Sequence, residues 1–131
     1  MTDRRPDCVY GILVRDERVF LRDFRGRLGL PGGVFRPLAE DRKVELRAHL
    51  FDQLEIDARS VWGQGAFDYR NPDEDVAKFS GFYTVWEWEG EIPPPAGRWL
   101  DRSGVEVAPD LPASLRILLL SVLATLALKT T

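Results

Sequence analysis

The sequence predicts an α+β domain, an α/β/α sandwich in which helices cover a mixed β-sheet. Three observations predict it. Two strand-like runs around a polar turn open the chain, a long amphipathic helical stretch follows, and two aromatic strands precede a leucine-rich final helix. With 131 residues, 44% of them hydrophobic and 30% charged, the chain fits one domain spanning residues 1–131. Such a length buries roughly two thirds of the unfolded surface, so folding requires no metal or disulfide staple.

Taken in order, Cys8 to Val14 and Arg18 to Phe24 read as strands joined by Arg15-Asp16-Glu17, a hairpin. Gly26, Gly29, Pro31, Gly32 and Gly33 then mark a loop in which the backbone bends tightly. From about Glu40 to Ala58 the period becomes helical. With Val44 at zero and ~100° per residue, Leu46, Leu50, Phe51, Leu54 and Ala58 fall between roughly 200° and 340°. Asp41, Glu45, His49, Asp52 and Glu55 fall between roughly 20° and 140°, a polar face rich in metal-ligand types. Val61 to Tyr69 and Phe79 to Glu89 read as strands around the charged loop Arg70 to Lys78. Trp99-Leu100 reads as a short strand, and Leu115 to Leu128 as the last helix.

Charge and composition exclude several functions. Eighteen basic against 21 acidic residues leave a net charge of -3, so no stable nucleic-acid complex is expected. Cys8 is the single cysteine and sits in an apolar run, which points to a reducing, cytoplasmic setting and a structural thiol. The first seven residues are polar, unlike a secretory signal. The apolar run 115–128 falls short of the ~20 residues that span a bilayer, so no membrane partner is expected. Its nearly all-round hydrophobicity predicts a buried helix or a homodimer contact.

Leu30-Pro31-Gly32-Gly33, Glu40 and the helix to Ile56 together resemble the Nudix box, G-x5-E-x7-R-E-U-x-E-E-x-G-U with U a bulky aliphatic residue. The flanking strands, Arg98-Trp99-Leu100 and the leucine-rich end also resemble that family, so the likeness covers nearly the whole chain. The box is altered. Six residues, not five, separate Gly33 from Glu40; Ala48 stands for the Arg; His49, Asp52 and Gln53 stand for the three Glu, and Glu55 for the Gly. Leu50 and Ile56 keep the aliphatic positions.

The resemblance implies a nucleotide-type ligand, Mg²⁺ or Mn²⁺ as the cation, and hydrolysis of a diphosphate linked to a nucleoside. A hard cation there takes oxygen ligands and polarises the attacked phosphorus. Glu40, Asp52 and Glu45 are the candidate catalytic carboxylates, and Glu40, His49 and Asp52 the candidate metal ligands. Glu45, His49 and Asp52 share one face by their i, i+4, i+7 spacing, although a solvated charged face has the same pattern. Gly32 and Gly33 could bring backbone N–H groups to a phosphate, and Phe35, Tyr69 and Tyr83 could stack on a base. Glu74 and Asp75 offer a loop-borne general base. Two functions remain open at this point. One is a divergent protein that binds a nucleoside diphosphate derivative with weak or no hydrolysis; the other is an active hydrolase with a remodelled metal site.

Overall fold

The computed structural model describes residues 5–36 and 40–130, with side chains as far as residue 125. Its central strand is β1 (Cys8–Arg15), and the sequence explains that place. Every residue from Cys8 to Val14 is apolar or glycine and is buried, as a strand covered on both faces requires. Polar Arg15, Asp16 and Glu17 follow, and the chain reverses through Asp16 and Glu17 into β2 (Arg18–Phe24). Both turn residues have positive φ, 53° and 60°, matching the right-handed twist of the flanking strands.

Two short strands occupy the region read as a glycine loop. Arg25 and Gly26 turn β2 into β3 (Arg27–Gly29), while β4 (Gly32–Val34) pairs antiparallel with β1, Val9 opposite Gly33. Strands of three residues are too short to show a period, which is why the sequence read them as loop.

The helix α1 (Arg42–Leu54) is shorter at both ends than its periodicity suggests. Asp41 caps it, accepting from the backbone N–H of Lys43 at 2.9 Å. Glu55 ends it in the left-handed conformation, φ 59°, with its N–H donating to the Phe51 carbonyl at 3.0 Å. Asp57 and Ala58 therefore belong to β5 (Asp57–Tyr69), which folds back antiparallel onto β6 (Lys78–Glu89). From Cys8 opposite Ser80 to Leu13 opposite Val85, β6 runs parallel to β1. After a turn of 3-10 helix at Pro94–Ala96, β7 (Gly97–Leu100) joins β2, and seven strands form one sheet among the described residues.

The side chains of β1 alternate between two cores. Val9 and Leu13 face α1, where Leu46, Leu50 and Leu54 are fully buried with Ile56 and Val85. Phe51, in the predicted apolar sector, stands 63% exposed at the edge of that stripe. Tyr10, Ile12 and Val14 face the other way, against Leu115, Leu119, Val122 and Leu123 of the last helix. Between β7 and that helix lies α2 (Arg102–Val107), a short element the sequence reading left out. The last helix, α3 (Ala113–Thr130), holds it through Arg116, whose guanidinium donates to the carbonyls of Val105, Glu106, Ala108 and Leu111 at 2.6 to 3.1 Å. The layers are helix, mixed sheet, helix. Among the described residues no helix is long and apolar enough to cross a membrane.

Candidate functional site

The site is built where β4 enters α1. Gly32 has φ 139°, and a Cβ there would run into the carbonyl oxygen of Val9, so only glycine lets β4 pass so close to β1. The side chain of Gln53 holds that bend from the helix. Its Oε1 accepts from the Gly32 N–H at 2.9 Å, and its Nε2 donates to the Gly32 carbonyl at 2.8 Å. A carboxylate cannot make this pair, because it has no donor. Where the altered box has Gln for Glu, the amide has become a two-point clamp on the backbone.

His49 lies against the next glycine. A Cβ on Gly33 would stand 3.1 Å from His49 Cε1, so the imidazole packs over bare backbone. Its Nε2 is 2.9 Å from the carbonyl oxygen of Val34. A carbonyl only accepts, so Nε2 carries the proton and Nδ1 is the nitrogen left for any other partner.

Glu45 departs furthest from its expected role. It is 5% exposed, and the Arg36 guanidinium donates to both of its oxygens, at 2.8 and 3.0 Å. The hydrogen bonds and charge of Arg36 hold the Glu45 carboxyl below the usual carboxylate range. Ala48 stands where the box has its Arg, and helix and loop are tied here by a carboxylate on the helix and a cation on the loop. Arg36 was missed because a single cation in a loop carries no periodic signal.

Glu40 and Asp52 are exposed. Among the described residues, no group of three His, Cys, Asp or Glu side chains is placed to hold a metal ion. Together with the engaged Gln53 and Glu45, this donor set does not fit a hard divalent cation, which needs several convergent oxygens.

The aromatic candidates divide between the two faces of the sheet. Tyr69 is a correction: it is 3% exposed in the α3-side core, where its hydroxyl donates to Asn71 Oδ1 at 2.7 Å, leaving no ring face for a base. Burial pushes its phenol pKa up. Phe35 is buried in the α1-side core, with the Arg5 guanidinium carbon 3.9 Å from its ring centre. Tyr83 shares that core but lies on the far flank of α1. Val9 separates Gly33 from Gly81 in the sheet register, and Leu46 and Leu50 cover Gly11 between them. The structure thus brings together Gly32, Gly33, His49 and Gln53, and sets Tyr69, in the opposite core, and Tyr83, across Val9, apart from them.

Asn71, which the sequence reading passed over in a charged loop, supports the same bend from the other side. It is 1% exposed, its Oδ1 accepts from the Leu30 N–H at 2.9 Å, and its Nδ2 donates to the Leu30 carbonyl at 3.2 Å. Glu74 is paired with Lys78 at 3.1 Å, so it is not the free loop base the sequence offered; Asp75 is exposed.

The sequence matches no protein-family model and no curated protein. Solved structures do match. A MutT NUDIX hydrolase from Burkholderia pseudomallei superposes with a TM-score of 0.68 at 20% identity, over 86% of this chain and 93% of that one. The NUDIX domain of Shewanella oneidensis NrtR, complexed with ADP ribose, gives 0.61 at 17% identity, over 87% and 84%. An ADP compounds hydrolase gives 0.65 at 14% identity, over 97% and 75%.

Proposed function

We propose that this chain, which has the Nudix fold, binds a nucleoside diphosphate derivative, with metal-dependent hydrolysis weak or absent. The observation that carries the reading is the Gln53 clamp. A side chain that the altered box places among the metal carboxylates gives both of its polar atoms to Gly32. Glu45 is likewise neutralised by Arg36, which removes a second negative charge from the helix face. The nucleotide part of the reading is supported by the fold shared with an ADP-ribose complex and an ADP compounds hydrolase. Gln53 takes the Gly32 N–H and the His49 imidazole covers Gly33, so the bend does not offer a phosphate the bare backbone donors that the sequence suggested. A cytoplasmic setting fits the buried free thiol of Cys8.

We also infer a homodimer contact at α3, where Ile117, 68% exposed, lies in one exposed stripe with the small residues Ala113, Ser121 and Ala124.

The test is a calorimetric titration with ADP-ribose, followed by a product screen over dinucleoside polyphosphates, nucleotide sugars and nucleoside triphosphates with Mg²⁺ and with Mn²⁺. Saturable binding without turnover is expected. Turnover that disappears in Glu40→Gln, or metal binding that disappears in Asp52→Ala, overturns the reading in favour of an active hydrolase with a remodelled centre.

A further inference from the structure

On the flank of α1 away from His49 lies a cavity of about 250 Å³. Gly63 and Gly65 of β5 and Gly81 of β6 line its floor, the edge of the Tyr83 ring standing 3.4 to 3.7 Å from the Cβ positions of Gly81 and Gly63 and the space over Gly65 being open, so a flat group can lie on Gly65 against that ring. Pro6 and Tyr83 form walls, and Arg42, the first residue of α1, stands at its mouth.

Glycines alone make an opening, not a site. Tyr83 supplies the second observation. The residue is 8% exposed, yet its hydroxyl makes no hydrogen bond among the described residues. That hydroxyl lies 3.7 Å from where a Cβ on Gly81 would stand, so it is directed over the glycine floor. The ring is buried while the hydroxyl itself stays reachable through the cavity, which leaves this donor to a ligand there. Arg42 is exposed and has no ion pair among the described residues.

We propose that this cavity binds a small organic acid, a flat apolar body carrying one carboxylate. The body lies on the glycine floor beside Pro6. The carboxylate takes charge-assisted hydrogen bonds from the Arg42 guanidinium and accepts the Tyr83 hydroxyl proton in a hydrogen bond. The size argues against a nucleotide, since drug-sized ligands occupy about 300–1,000 Å³. This site is independent of the nucleotide reading, from which α1 separates it.

Benzoate is the probe, with benzamide as its neutral counterpart, followed by the backbone amide resonances of the isotope-labelled full chain. Saturable shifts confined to Gly63, Gly65, Gly81 and Tyr83 are expected with benzoate. Benzamide, lacking the charge, binds about tenfold more weakly, as does benzoate to Arg42→Ala. Tyr83→Phe keeps the packing and weakens benzoate several-fold. Gly81→Ala fits at ordinary contact distances of 3.4 to 3.7 Å, and Gly81→Val, which projects further into the cavity, abolishes binding. Retained amide dispersion in each variant shows that it is folded. Absence of saturable shifts, shifts centred on Gly33 and His49, or equal affinity for benzamide overturns the proposal.

Discussion

Glu55 carries a local strain at the position where the box pattern has Gly. A side chain in the left-handed region costs ~1 kcal/mol relative to glycine, and Glu55 adopts it at φ 59° to end α1. Glu55→Gly is therefore expected to stabilise the protein by ~1 kcal/mol, read as a higher urea midpoint with an unchanged slope. Glu45 gives a pH signature. Its carboxyl is a stronger acid in the folded state because Arg36 donates to it, so its stabilisation is complete above the unfolded value of ~4.3. That contribution is lost as pH falls through the lowered folded value. Urea midpoints followed from about pH 6 to about pH 3 should fall less steeply in Glu45→Gln than in the parent. At this scale the sequence was only partly legible. It showed that Glu45 lies on the polar face of the helix and that Gln53 stands at a Glu position of the box, but not that both face protein partners. Those partners, Gly32 and Arg36, are 21 and nine residues away.

Among the elements, α1 and the long strands were readable because each repeats its pattern over several turns or alternations. The ends were not, since Asp41, accepting from the Lys43 and Val44 N–H groups, and Glu55, donating to the Phe51 carbonyl, act through local hydrogen bonds that leave no periodic trace. The loop 70–77 shows the limit most clearly. Its charged composition suggested solvent, but Asn71 is buried and serves Leu30 as a substitute strand, pairing with both its N–H and its carbonyl. Asn71→Ala leaves these two buried groups unpaired, at a cost of about 1–3 kcal/mol each. The expected result is a large drop in the urea midpoint together with faster amide exchange at Leu30 and Gly32. If exchange there is unchanged, the loop does not support the bend.

For the whole molecule, the layer order was legible because α1 shows which face it buries and β1 is apolar throughout, as a strand covered on both faces requires. What the sequence did not reveal is how the α3 surface is used. Leu115, Leu119 and Leu123 pack inward, while Ile117 stands out. Ile117→Asp is expected to shift sedimentation from dimer to monomer while leaving the circular dichroism spectrum unchanged. A parent chain that sediments as a monomer at micromolar concentration removes the dimer assignment.

The parallel pairing of β1 with β6 also sets an order of events during synthesis. Cys8 emerges from the ribosome early, but its neighbour Ser80 follows only after most of the domain has been made. Until then the most apolar strand of the protein has an open edge and a reachable thiol. Nascent chains halted before residue 80 should therefore react with a maleimide at Cys8, while chains long enough to have laid down residues 78–89 and α3 should resist it. Its own lone sulfur would thus time the closing of the sheet.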